Sequence, residues 1–172
     1  LEALDAAGID PTVLSTAALD DDRVTARAAV AVDDRDLTTA VNARLADGEP
    51  TLVVMADLPL AEPTDIHRLL DSEAGVSIAP GLGGGTNALA VREPEFRVDY
   101  HGASYLDHRR AAAELGATVD TVDSRRLATD IDEPSDLAEV LIHGADRARD
   151  WLVEAGFELE TGAGRVGVRR VE

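Results

Sequence analysis

Apolar and polar positions along this chain fall into blocks of two kinds, and the two kinds alternate. Short runs rich in β-branched residues carry the composition of strands: PTVLST (11–16), AAVAV (28–32), TLVVMA (51–56), VSIAP (76–80), TNALAV (86–91) and TVDTVD (118–123). Between them, helical spacing predicts helices over 36–48, 63–72, 104–116 and 134–144, with stops at Gly48 and Gly116 and Pro63 in a first turn. The opening LEALDAAGID reads as the second half of a helix, with Leu1, Leu4 and Ala7 on one face and Gly8 ending it. Strands and helices joined by short connections predict an α/β fold, a three-layer doubly wound and mostly parallel sheet. TLVVMA is continuous enough to predict a strand buried on both faces. No internal repeat or linker interrupts the pattern, so residues 1–172 read as one domain, with a terminal hairpin expected over 157–172 around Gly162–Gly164.

Composition narrows this picture. The chain is long enough for a sizeable core, and with 45% hydrophobic residues but only 3% aromatic ones that core must be aliphatic. No apolar run has membrane-spanning length and no signal segment is present, which predicts a cytoplasmic protein without membrane partners. The absence of cysteine excludes disulfides, thiolate metal sites and cysteine nucleophiles. Charge adds the most. Against 34 acids stand 16 bases, all arginine, for a net charge of −18. The acids are scattered, with no acidic tail, as expected of a surface adapted to molar salt, where the screening length shrinks to about 3 Å. An acidic interaction or scaffold protein is the other reading. Duplex nucleic acid is excluded as a partner because no basic stripe exists.

Four places carry candidate chemistry. TLVVMADLPL delivers Asp57 to the end of a strand and fixes it with Pro59, and in open α/β sheets ligands bind outside the carboxyl ends of the strands. In LATDIDEPSDL, Asp130 and Asp132 point to one face of an extended segment, where two carboxylates repel unless a proton or cation lies between them. Magnesium would suit them; a helix cap by Asp132 before Pro134 is the structural alternative. PGLGGGTNAL matches neither phosphate-loop nor dinucleotide patterns, yet its glycines allow close backbone approach to an anion, or simply make a turn. In YHGASYLDH, Ser104 and Asp107 resemble a capping box, and the same helix start is an anion site. A Ser104–His108 nucleophilic pair is the less favoured option. His67, His101 and His143 lack ligand spacing, and Arg109 and Arg110 fit a phosphate contact or plain solvated surface.

DDRDLTTAVNARL, LVVMADLPL, GGGTNAL, YHGASYLDH and ATDIDEPSDL, in this order, resemble the 2-phospho-L-lactate guanylyltransferases (CofC) of haloarchaea, up to about Gly156. The resemblance implies a nucleotide-diphospho-sugar transferase-like (GT-A) fold. It implies transfer of GMP from GTP to 2-phospho-L-lactate, or to phosphoenolpyruvate in bacterial relatives, with release of pyrophosphate, in coenzyme F(420) biosynthesis. It also implies Mg2+ held by Asp57, Asp130 and Asp132. Thr86, Asn87 and Ser104, with the backbone at Gly102, correspond to acceptor-binding positions. Asn42 falls near the nucleotide, although a helix-surface asparagine explains it equally well. A homodimer is implied too. The departure is at the start: the family opens on a strand and a lysine-bearing loop that grips the triphosphate. This chain has no lysine and begins within a helix, so little transferase activity is expected of these residues by themselves. Other nucleotidyltransferases of the same fold, for molybdopterin cofactor or sugar phosphates, are the nearest alternative.

Overall fold

A computed structural model describes residues 1–145, 147–162 and 164–171. The chain begins with helix α1 (Glu2–Ala6), which Gly8 ends at φ +76°. Strand β1 (Thr12–Ser15), helix α2 (Asp22–Thr25) and β2 (Ala29–Val32) follow, and β1 and β2 pair in parallel. α2 has no counterpart in the sequence pattern. It is a single turn, started by the Asp21 carboxylate accepting the Arg23 N–H, and too short to show a period.

The main sheet is built from β3 (Thr51–Val54), β4 (Val76–Pro80), β5 (Thr86–Val91) and β6 (Val119–Thr121), in the order β3-β5-β4-β6. β4 and β6 are parallel, whereas β5 runs antiparallel between β3 and β4. The reason lies in the connection. Parallel neighbours need a crossover of a dozen or more residues, and only Gly81–Gly85 separates β4 from β5, so the pair closes as a hairpin. β3 also differs from the expected fully buried strand. Its four residues are half-buried, because it pairs on one side only, as an edge strand among the described residues.

Helices α3 (Leu37–Leu45), α4 (Pro63–Asp71), α5 (Ser104–Glu114) and α6 (Arg125–Ala128) cover the sheet in two layers. The alternation along β5 assigns the faces. Leu89 and Val91 pack with Val76 and Ile78 against Val41, Leu45 and Ala112 of α3 and α5. Ala88 and Ala90 face Leu69 and Leu127 of α4 and α6. The expected three layers are therefore present. Small alanines on the second face let the backbone of α4 and α6 lie close to the sheet. A 3-10 turn (Pro134–Asp136), α7 (Leu137–His143), α8 (Arg147–Glu154) and the hairpin of β7 (Phe157–Glu160) and β8 (Gly167–Arg170) complete the chain around a small core of Val140, Leu141 and Leu152. The hairpin falls where expected; Ala163, within its connection, lies outside the described residues. No helix among the described residues is long and apolar enough to cross a membrane.

Candidate active site at the carboxyl edge of the sheet

Because β5 runs against β3 and β4, its first residue, Thr86, lies at the edge where those strands end. Val54 faces Ala88 and the Met55 N–H bonds the Asn87 carbonyl at 2.9 Å, so the chain turning out through Asp57 passes beside Gly85 and Thr86. The loop at Gly81–Gly85 closes on itself through the Gly81 N–H and the Gly85 carbonyl, 3.0 Å apart, and Gly84 takes φ +88°. At Gly81 a side chain is excluded: a Cβ would stand 2.6 Å from Asn87 Oδ1. Asn87 is buried and donates from Nδ2 to the Leu127 carbonyl at 2.9 Å. It therefore ties the glycine loop to the segment that carries Asp130, rather than presenting its amide to solvent.

That segment is fastened at two more points. The Leu82 N–H donates to the Ala128 carbonyl at 3.0 Å, and the Ile131 N–H donates to the Asp57 carbonyl at 3.2 Å. The second bond lays the Asp130–Asp132 stretch against the end of β3. Partial burial holds the Asp57 carboxyl above its usual range, opposed by its own backbone N–H, and the charges of Asp130 and Asp132 push it higher. The cap that competed for Asp132 belongs to Glu133 instead, in a capping box with Asp136, whose Oδ2 accepts the N–H groups of Asp132 at 3.1 Å and Glu133 at 2.8 Å. Asp136 was not legible as a site-building residue, since D-x-x-x-D spacing has many causes. Among the described residues, no arginine pairs with Asp57, Asp130 or Asp132. Nor are any three His, Cys, Asp or Glu side chains grouped so as to hold a metal ion as they stand.

α5 abuts the same edge. The Tyr105 N–H donates to the Gly84 carbonyl at 3.3 Å, and Ser104 Oγ lies 4.0 Å from where a Gly85 Cβ would stand. Ser104 is not the cap that the sequence suggested. The N-cap is Ala103, without a side-chain bond, because Gly102 (φ +44°) turns the chain one residue further before the helix begins. Ser104 is thus the first helical residue, buried, and its hydroxyl makes no hydrogen bond among the described residues. The Ser104–His108 pair is not formed either. His108 is fully enclosed; Nδ1 lies 2.9 Å from Thr86 Oγ1, and Nε2 accepts the Asp99 N–H at 2.9 Å. Arg109 stacks over the Tyr105 ring, 5.5 Å to the centroid, and Arg110 pairs with Asp107 at 3.0 Å, so both serve the helix surface. Asn42 is also engaged. Its amide donates to the Val98 carbonyl at 2.9 Å and accepts the Val98 N–H at 2.8 Å, the structural explanation that competed with nucleotide contact.

Burial lowers the His108 pKa to about 4, the nearby charges of Asp99 and Asp107 opposing the shift and His101 adding to it. The unfolded chain therefore takes up this proton near pH 6.5, before the folded protein does, and stability is lost as pH falls from about 6.5 towards 4. At about 1.4 kcal/mol per pKa unit the loss is roughly 3 kcal/mol. Unfolding free energies across this window should fall in wild type and stay flatter in a His108→Asn variant. Equal slopes would contradict a neutral buried ring.

Comparison with known proteins places the chain in a family. A family model described as "Guanylyl transferase CofC like" matches residues 3–172. The chain is 56% identical over 170 residues to the 2-phospho-L-lactate guanylyltransferase of Halomicrobium mukohataei, covering 99% of this chain and 82% of the relative. Proteins of the same name from Haloarcula marismortui and Haloferax volcanii are 66% and 64% identical over 105 and 101 residues, 61% and 59% of this chain. The chain spans about half the length of these two relatives, 50% and 49%. Among solved structures, a protein assigned as a nucleotide-diphospho-sugar transferase from Desulfovibrio desulfuricans G20 superposes with TM-score 0.69 at 15% identity, over 90% of this chain and 77% of that one. A hypothetical transferase from Thermus thermophilus superposes with TM-score 0.51 at 20% identity, over 77% and 81%.

Proposed function

Since the chain belongs to the CofC-like guanylyl transferase family, we propose that its sheet edge serves transfer of GMP from GTP to 2-phospho-L-lactate, or to the closely similar phosphoenolpyruvate, with release of pyrophosphate. The observation that carries this reading is the family match along residues 3–172. The geometry supports it by bringing the segments that carry Asp57 and Asp130–Asp132, the Gly81–Gly85 loop and the start of α5 to one edge of the sheet.

The chemistry asks little covalent work of the protein. An acceptor phosphate oxygen attacks the α-phosphorus of GTP, the bond from that phosphorus to the β-phosphate oxygen breaks, and pyrophosphate leaves. The attacking oxygen is already anionic, so no general base is required, and none of the residues gathered here is poised as one. The Thr86 and Ser104 hydroxyls and the amides of the first turn of α5 would receive the acceptor's carboxylate and phosphate. Asn87 and the Gly81–Gly85 loop hold that receiving surface in place. Asp57, Asp130 and Asp132 fit a hard divalent cation such as Mg2+ in chemistry: three carboxylates, no arginine partner among the described residues, and an Asp57 carboxyl whose proton affinity is raised by partial burial and further by the other two. When bound there, Mg2+ would neutralise charge on the triphosphate and on the leaving pyrophosphate.

The test is pyrophosphate release by the full-length protein in molar KCl with Mg2+, offering 2-phospho-L-lactate, phosphoenolpyruvate, a sugar phosphate and no acceptor in parallel. Release with either of the first two and GTP is expected. Release with the sugar phosphate alone would assign a different nucleotidyltransferase reaction, and none at all would favour the acidic binding protein.

A further inference from the structure

We propose that His108 is a positioning residue that fixes the Thr86 hydroxyl as a donor directed at an anionic group of the acceptor. The argument starts from an unambiguous donor. A backbone N–H can only donate, so the bond from Asp99 N to His108 Nε2, 2.9 Å, makes Nε2 the lone-pair nitrogen. The ring is neutral in this enclosure, and its single proton therefore sits on Nδ1. Nδ1–H then donates to Thr86 Oγ1, also at 2.9 Å. With that lone pair engaged, the hydroxyl proton of Thr86 must leave in another direction, and Oγ1 has no further partner among the described residues. Thr86 stands at the start of β5, next to Gly85 and the unpartnered hydroxyl of Ser104. A donor in that place suits a carboxylate or phosphate and would repel an ammonium group.

The tautomer is built in by residues far apart in sequence. Phe96 and Tyr100 hold the ring edge-on, with centroids 6.0 and 5.0 Å away. The strand-like segment that supplies the Asp99 N–H is pinned to α3 on both sides of it. Asn42 grips Val98 through donor and acceptor, and Thr38 Oγ1 accepts the Tyr100 N–H at 2.9 Å. α3 thereby sets the donor direction of a hydroxyl on β5 through one histidine. The identity of the ligand rests on the acceptor reading above; the direction of the hydroxyl does not.

Two measurements on the full-length protein test this. The first is the long-range 1H–15N spectrum of histidine-labelled protein without substrate: His108 is expected with protonated Nδ1 and bare Nε2, and a protonated Nε2 overturns the proposal. The second is kinetic. Loss of a hydrogen bond to a charged group corresponds to about tenfold or more in affinity, so Thr86→Val and His108→Leu should each raise the acceptor KM by that factor and leave the GTP KM within about twofold. In the Thr86→Val background, His108→Leu should add less than about twofold, since its effect passes through the missing hydroxyl. His108→Asn, whose amide reaches the Nδ1 position, should recover part of the loss. Additive effects, or equal rises in both KM values, overturn the proposal, as does a His108→Asn variant that folds like wild type and recovers nothing. A wild type that uses no acceptor would defeat the functional reading, while the spectrum would still decide the direction of the hydroxyl.

Discussion

Asp57→Asn or Asp132→Asn in the full-length protein is expected to abolish Mg2+-dependent guanylyl transfer while leaving metal-free stability equal or higher. The two halves of this result have one cause. Ile131 is bonded to the Asp57 carbonyl, so the 130–132 segment cannot swing away from the end of β3, and its carboxylates act on Asp57. Since the folded state raises the Asp57 pKa, ionisation there opposes folding at neutral pH, and this opposition fades only as pH falls through the folded value towards the ordinary carboxylate range. Asparagine keeps the size and removes the charge. A cap would behave in the opposite way, because losing a side-chain acceptor at a helix start destabilises by about 0.5–2 kcal/mol. That behaviour is expected of Asp136→Ala, which strands two backbone N–H groups. Thermal unfolding without metal, next to Mg2+ titration of the turnover rate, checks both halves. Destabilised asparagine variants with an unaltered Mg2+ response would show these aspartates to be structural.

The second large effect concerns salt. Even if every arginine met an acid, 18 negative charges would remain on a chain of 172 residues, and the ion pairs that do form are mostly on exposed side chains. Self-repulsion of that size is tolerable only where it is screened over about 3 Å, as in molar salt. Lowering KCl from about 2 M to about 0.1 M should bring the unfolding midpoint down by about 10 °C or more, the shift that ~3–4 kcal/mol produces at this chain length. An unchanged midpoint would mean that the acids are balanced locally and that the composition reflects something other than salt.

The parts of this site that could be read from the sequence are those written in local pattern. Asp57 at the end of an apolar run, the glycine-rich turn before TNALAV, and the helix beginning near Ser104 all depend on neighbours within a few residues. The antiparallel course of β5 was hidden because buried strands look alike in either direction; only the length of the Gly81–Gly85 connection distinguishes them. α8 has no clear signature in the sequence because half of its RARDWLVE is charged and it buries only Leu152. Ser104 was misplaced by one position because Gly102 in a left-handed turn lets Ala103 begin the helix without a side-chain cap. For His108 the sequence offers only a pairing with Ser104, which the structure does not form. Its partners are 9 and 22 residues away, and its role depends on which ring nitrogen faces an amide, which no spacing encodes. Asn42 gave the converse lesson, since its two-point bond to Val98 spans 56 residues.

Label transfer tests the central claim most directly. The full-length protein is incubated in molar KCl and Mg2+ with 2-phospho-L-lactate and GTP labelled either at the α- or at the γ-phosphate. Guanylyl transfer predicts that the α-label appears in a product joined to phospholactate and the γ-label appears in pyrophosphate. A γ-label found on the acceptor, or an α-label left in GDP or GTP, would contradict it.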